Sequence, residues 1–402
     1  FFKFKNSNWY FNYISKYGYS ALTAYAVNNF EPALVFDFKG DYFRKGATDS
    51  TFAASITHAR ASSATMVNSS GTLVTVGNNV PRTGHHIYNG SAWVNEGIFH
   101  ESEARTNQMV NSGDLTGTGW SGNVTRGAVT SGSPFGTYQT VSPASSGGSL
   151  APAQRYQIGK SITSGSTYVG WALVKYSAGS GWFIVNMYDT GKADEQAYFD
   201  VQNGVVGSKQ SLIIDHGMVD YGDGWWLCWA SSNATSASGG MSVEVPNGDG
   251  VQTCSFSDVI LIAGSQFELG ATPSSYIPTT SAQVTRAADT LTVPAANLPY
   301  NSTNMSIQID GKMTYADTGS ANTALPWRWR VDNSNNIYNR FSTSGARTGK
   351  PQFLQGSTSS GNDAVSGSDT AYSPDTDVPF NLAGRYGSTF LNGAHEGTLL
   401  TA

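Results

Sequence analysis

An all-β fold of tandem β-sandwich domains is what the sequence predicts, and three observations carry that expectation. Short apolar or alternating runs recur along most of the chain, as pleated strands with a covered face require. Clusters of Gly, Ser, Thr, Asn and Pro separate them, and these residues favour tight turns. The 402 residues include 45 Gly, 20 Tyr, 19 Phe and 10 Trp but only 13% charged side chains, a usage that suits strands and turns better than solvated helices. No segment has a convincing helical period.

The elements follow in chain order. Residues 1–32 are crowded with aromatics, among them Phe1, Phe2, Phe4, Trp9, Tyr10 and Phe11, with no clean periodicity. They are expected to form a non-globular arm that docks on a partner subunit; the alternative is a terminal strand pair lying on the first domain. Residues 33–106 form a small β region. It holds an apolar run at 33–38, a second run at 56–67, a turn through Asn68 and Gly71, and a hairpin over 87–94 around Asn89 and Gly90.

Residues 107–285 carry the strongest strand signals and make up the central domain. Val169, Trp171 and Leu173 share one face of a strand, and 182–188 is another strand. Asn203 and Gly204 sit in a second hairpin. Trp225, Leu227 and Trp229 point one way while Trp226 and Cys228 point the other. The apolar run 259–263 reads as a strand covered on both faces. The last block, 286–402, has clean alternation at 306–310 and 327–331 and a late hairpin around Asn392 and Gly393. The chain begins at Phe1 without Met and stops at Ala402 before the closing strands a full sandwich wants, so processing or truncation is expected.

Charge and composition exclude several classes. A formal net charge of −5 with no basic run disfavours nucleic acid as the main partner. No apolar stretch is long enough to span a bilayer as a helix. Two cysteines, Cys228 and Cys254, fit no metal motif and are expected as buried thiols in neighbouring strands, with a disulfide left open. No Gly-rich phosphate loop opens a helix, and no nucleophile elbow is present.

Several segments carry a family resemblance. They are 58–67 (HARASSATMV), 79–82 (NVPR), 101–107 (ESEARTN), 266–270 (QFELG), 274–280 (SSYIPTT) and 284–289 (VTRAAD). Their order and spacing along residues 33–291 resemble large structural proteins of tailed bacteriophages. The resemblance implies that 107–285 is a carbohydrate-binding jelly roll, with 111–120 and 222–226 similar to its opening and a late strand. Residues 286–402, through 382–393, resemble part of a concanavalin- or laminin-G-like sandwich. It also implies a place on the exterior of a virion, in a tail fibre, spike or head fibre. The partners would be other virion proteins, further copies of the chain (a trimer for a fibre) and host surface polysaccharide. Receptor attachment is then the expected function, with an architectural or head-decoration role as the alternative and a polysaccharide depolymerase as a second. The first and last β parts are expected to share a sheet, with the jelly roll inserted between them.

The candidate chemistry is sparse. Sugar rings stack their C–H faces on aromatic side chains, so Trp120, Trp182, Trp225 and Trp226 are the candidate carbohydrate contacts. No cofactor is expected, and calcium is the one metal left open, with Asp114, Asp258 and Glu268 as candidate ligands. Glycoside hydrolysis needs two carboxylates across a cleft, and the pairs Glu101 with Glu103, Asp194 with Glu195, and Asp220 with Asp223 are only sequence neighbours. No catalytic residue is assigned. Glu103 and Arg105 are expected as a structural ion pair. His85 and His86 point to opposite faces of a strand and make a poor metal site.

Overall fold

The computed structural model describes residues 32–144, 153–192, 195–299 and, with short breaks, 301–400. The arm expected over 1–32 lies, apart from its last residue, outside the described residues. The described chain is nearly all β, as the sequence predicts. Its one α-helix among those residues is a single turn, Phe52–Ser55, capped by the Thr51 hydroxyl accepting from the Ala54 N–H. Two compact units result. One holds the described residues up to Asp37, then Asp41–Ile56 and the chain from Val293 onward; the other holds Phe38–Gly40 and Thr57–Thr292.

Nine short strands come first: β1 (Leu34–Asp37), β2 (Tyr42–Lys45), β3 (Thr48–Ser50), β4 (Thr57–Ala59), β5 (Ala64–Val67), β6 (Leu73–Val76), β7 (Arg82–Tyr88), β8 (Trp93–Phe99) and β9 (Arg105–Asn107). β1 to β3 form a meander in the first unit, while β5–β6 and β7–β8 are hairpins of the second. The sandwich follows, with β10 (Ser121–Gly122), β11 (Val124–Arg126), β12 (Thr130–Ser133), β13 (Gly136–Pro143), β14 (Ala153–Ser161), β15 (Thr167–Ala178) and β16 (Trp182–Asp189). It continues through β17 (Gln196–Asp200), β18 (Val205–Lys209), β19 (Ile213–Asp220), β20 (Trp225–Asn233), β21 (Ser238–Val245) and β22 (Val259–Leu269).

These thirteen strands build two antiparallel sheets. The six-stranded sheet runs β10-β14-β21-β16-β17-β18, and the seven-stranded sheet runs β11-β13-β22-β15-β20-β19 with β12 paired to β13. Alternation along each strand fills the space between them. Ala172, Val174, Cys228, Ala230, Ile260 and Ile262 meet Phe183, Val185, Met187, Phe199, Met241 and Val243 in one core. The far face of the seven-stranded sheet is also apolar, carrying Val169, Trp171, Leu173, Trp225, Leu227 and Trp229. Tyr276, Phe135 and Leu73 cover it, and Phe135 stacks on Tyr276 at 4.7 Å between centroids. Among the described residues, the outer face of the six-stranded sheet has no such apolar cover.

Two strands bring the chain back from the sandwich. β23 (Val284–Arg286) pairs with β9, and β24 (Thr290–Thr292) pairs with β4. Strands on either side of the insertion therefore pair, as two short ladders rather than one common sheet. Between the ladders lies a buried ionic cluster. Arg60 donates to Asp289 Oδ1 at 2.9 Å, and Arg82 bridges Asp289 Oδ2 and Glu101 Oε2, the latter at 2.6 Å. Arg286 approaches the same Glu101 oxygen at 3.1 Å, and Ser275 donates to Glu101 through its N–H and its hydroxyl. Backbone carbonyls of Gly77, Val80, Thr65, Glu103, Ser62 and Ala287 accept from further guanidinium N–H groups. The ring of Phe99 lies 4.3 Å from the Arg82 guanidinium carbon.

Nearby, Asn107 is fully buried and fully bonded. Its amide donates to Ser265 O and Ile277 O and accepts from Met109 and Phe267 N–H. The motif segments at 58–82, 101–107, 266–280 and 284–289 thus meet in one hydrogen-bonded clasp.

In the first unit, β25 (Asn304–Tyr315), β26 (Thr323–Arg330), β27 (Asn336–Ser342), β28 (Pro351–Ser357), β29 (Gly361–Ser366), β30 (Asp375–Gly387), β31 (Phe390–His395) and β32 (Thr398–Leu399) form two four-stranded sheets. Their orders are β25-β30-β31-β32 and β26-β27-β28-β29. The late hairpin is displaced from its expected place. Asn392 and Gly393 lie mid-strand opposite Arg385 and Gly384. The turn falls instead at Glu396 and Gly397, both with positive φ. Gly393 is needed for closeness rather than for turning, since a Cβ there would lie 2.7 Å from Leu400 Cδ1.

The clasp makes stability acid-sensitive. Burial by itself would raise Glu101 and Asp289, but the adjoining guanidiniums and hydrogen bonds outweigh it and hold both below the usual carboxylate range. Burial, then Arg82, pushes His85 down to about 4, and burial lowers His100. A depressed histidine opposes protonation in the fold, so stability is lost as pH falls from about 6.5 towards the folded value. The depressed carboxylates add a further loss below about 4. We expect thermal unfolding temperature to fall steadily from pH 7 to pH 4. Arg82→Met, which leaves two interior carboxylates undercompensated, should cost about 3–5 kcal/mol in denaturant titration at pH 7.

Candidate functional site

Among the described residues, the outer face of the six-stranded sheet carries no apolar layer like the one on the seven-stranded sheet, although its central side chains, Ile184, Asn186, Tyr198 and Ser242, are buried. Register fixes what lies there. Asp200 is opposite Trp182; Gln154, Glu244, Ile184 and Tyr198 form the next rung; Tyr156, Ser242, Asn186 and Gln196 form the one after; and Tyr188 lies opposite Gly240. Trp182 to Tyr188 spans about 20 Å along β16. Half-buried aromatics, Trp182, Tyr156 and Tyr188, flank a polar centre.

That centre is closely bonded. Glu244 Oε1 accepts from Asn186 Nδ2 at 2.8 Å and from the Ser242 hydroxyl at 2.6 Å, and Oε2 accepts from Gln196 Nε2 at 3.1 Å. Gln196 Oε1 accepts from the Tyr198 hydroxyl at 2.8 Å, from Gln252 Nε2 at 2.7 Å and from Gln210 Nε2 at 3.3 Å. Gln196 and Glu244 are each only 2% exposed. Gln252 is exposed and belongs to the loop 246–257, which closes over this centre. The loop is tied by Asn247 N–H to Thr253 O and by Asp249 accepting from Ser208. Such an arrangement of amides, a carboxylate and flanking rings can bond hydroxyls and stack on C–H faces.

Of the four tryptophans singled out in the sequence, only Trp182 lies on this face. Its ring packs over Gly207, where a Cβ would come within 2.6 Å of it. Trp120 is instead part of the inter-sheet core, its indole N–H donating to Asn111 O at 3.0 Å. Trp225 points to the far face of the seven-stranded sheet, where Tyr138 meets it edge-on at 5.8 Å. Trp226 turns to the inter-sheet side and covers the Gly204 turn; a Cβ at Gly204 would sit 2.3 Å from its ring. Alternation separates Trp225 from Trp226, as expected, but both sides of that strand are covered, so neither is a free platform.

The candidate calcium ligands do not form a site. Asp114 accepts from the Thr116 N–H and hydroxyl in a local turn. Asp258 accepts from Ser180 and Ser255 N–H, and Glu268 from the N–H and hydroxyl of Ser274. Asp258 and Glu268 lie at opposite ends of β22, about 30 Å apart. Among the described residues no group of three His, Cys, Asp or Glu side chains could hold a metal ion.

The acidic pairs are committed elsewhere. Glu101 belongs to the ionic clasp, Glu103 pairs with Arg105 at 2.7 Å, and Asp194 lies outside the described residues. Glu195 is buried beside Lys192 at 2.8 Å, and burial raises its carboxyl. Asp220 accepts from Gly222 N–H, while Asp223 meets Lys175 at 3.0 Å. His85 stacks on Phe99 at 4.4 Å, and His86 bonds the carbonyl of Gly84. Both cysteines are free thiols: Cys228 is buried in β20, and Cys254 lies in a loop rather than in the neighbouring strand that was expected.

Sequence reasoning missed Tyr156, Asn186, Gln196, Tyr198, Ser242, Glu244 and Gln252. The available signal was polar residues at alternate positions of otherwise apolar strands, in 182–188, 196–200 and 241–245. We expect Trp225→Ala to cost about 3–5 kcal/mol in denaturant titration, as loss of a core aromatic does, and Trp182→Ala to cost clearly less. Chelation with EDTA should leave the unfolding temperature unchanged. In comparisons with known proteins, no family matches this chain, and no curated protein matches it either.

Proposed function

We propose that the sandwich is a glycan-binding module and that the chain belongs to an external fibre or spike of a tailed-phage particle, attaching it to host surface polysaccharide. The observation that carries the glycan reading is the outer face of the six-stranded sheet. Trp182, Tyr156 and Tyr188 border a bonded group of one carboxylate and two amides, on a sheet face of the sandwich that carries no apolar layer among the described residues. Sugars need both features, a ring to stack on and fixed polar partners for hydroxyls. The virion reading rests on the ordered motifs along residues 33–291, which here converge on one clasp.

An architectural role in the same particle is the second reading. Val205, Val206, Leu212 and Ile214 are all more than two-fifths exposed, on the two strands β18 and β19 that end their sheets and the turn between them. Such a strip suits packing against neighbouring copies.

Calorimetric titration with host capsular or cell-wall polysaccharide tests the first reading. Wild-type protein should bind, and Trp182→Ala should weaken binding by about tenfold or more, the loss of one stacking contact, while Trp226→Ala lowers stability without changing affinity. Full retention of affinity in Trp182→Ala would place the site elsewhere.

A further inference from the structure

The polar centre of the candidate face holds one donor too many. A carbonyl oxygen has two lone pairs, yet Gln196 Oε1 accepts from Tyr198, Gln252 and Gln210. Two of these donors are built in. Tyr198 is 2% exposed on the neighbouring position of the same strand face. Gln210 is held by a second bond, its Oε1 accepting from Gln196 N–H at 3.0 Å, and by its own N–H donating to Gln196 O at 2.8 Å. Gln252 is the outlier. It is exposed, on the tip of a loop whose neck is closed by Asn247 and Thr253 and whose tip is tied at Asp249 to Ser208.

We propose that Gln252 is a placeholder: its amide occupies the position of a ligand donor in a subsite for neutral, hydroxyl-bearing glycans, and ligand enters by displacing it and the loop tip 248–252. This inference rests on the glycan reading above and deepens it. A sugar hydroxyl offers the same kind of donor as the Gln252 amide, to the same oxygen. Glu244, Asp200 and Asp249 lie on or border the face. Their carboxylates favour neutral sugars over uronic, sialic or sulfated ones, because like charges brought together repel. Lifting the loop tip exchanges the Gln252 bond and the two Ser208–Asp249 bonds for bonds to ligand, while Pro246, Cys254 and Ser255 stay anchored to Ser180, the core and Asp258.

The test uses the whole chain, with dextran and mannan as neutral probes and alginate and hyaluronan as acidic ones, titrated against wild type and Gln252→Ala. Removing the placeholder should tighten binding of a neutral probe by about threefold to tenfold, the weight of one exchanged hydrogen bond. Acidic probes should bind less well than neutral ones to both proteins. In hydrogen exchange, saturation of wild type with the neutral probe should speed exchange at Ser208, whose N–H donates to Asp249, as the loop lifts. If wild type binds a neutral probe and Gln252→Ala binds it equally or more weakly, or if ligand protects Ser208, Gln252 is a ligand contact or a bystander and the placeholder is wrong while the glycan reading stands. Tighter binding of an acidic probe would overturn the assigned class. If neither protein binds any probe or the host polysaccharide, the glycan reading falls and takes this inference with it.

Discussion

The rest of the second unit depends on a guanidinium buried between two carboxylates. Arg82 has no exposure and spans Asp289 and Glu101, with Arg60 and Arg286 completing the charge pattern around them. Burying any one of these ions unpaired would be prohibitive, so the five side chains and the carbonyls that cap them are ordered together or not at all. Their positions in the chain give the cluster its consequence. Arg60, Arg82 and Glu101 precede the sandwich, whereas Arg286 and Asp289 follow it. Pairing them holds the two ends of the sandwich segment at one place, alongside the ladders β4–β24 and β9–β23.

The same return of the chain decides which face of the sandwich is free. Tyr276 follows directly from the segment that serves the clasp. Ser275 donates to Glu101, and the next residue lays its ring over Trp171 and Phe135. With Leu73 and Phe135 it closes the far face of the seven-stranded sheet, which is why Trp171, Trp225 and Trp229 are core although they lie outside the space between the sheets. The six-stranded sheet receives no comparable apolar layer among the described residues. Its outer residues keep polar character and bond one another, a pattern that costs little only when every donor and acceptor is served.

Those bonds also explain why the face is closed by a light cover. Glu244, Asn186, Ser242 and Gln196 satisfy one another within the sheet, so the loop 246–257 contributes a single amide to the centre. A sheet provides rigid spacing for the floor, and a loop provides the part that moves. Loops held by few contacts open at low free energy, while strands in the middle of a sheet do not.

Much of this architecture was legible in the chain. Period-two alternation located the strands at 182–188, 225–229 and 306–310, and turn chemistry located the bends at Asn89 and at 203–204, because both depend on residues a few positions apart. The motif residues Arg60, Arg82, Glu101 and Asp289 stood out in the sequence as ordered segments, but their purpose did not. Charges as distant as Arg60 and Asp289 become partners only when the fold brings them within bonding distance. The candidate face was hidden for the same reason. Alternation says that Trp225 and Trp226 point opposite ways, but not that Tyr138 covers one and the Gly204 turn receives the other. Local periodicity sets a side chain's direction; what waits in that direction is set by which sheet, strand or loop packs there, and that is decided by contacts across the whole chain.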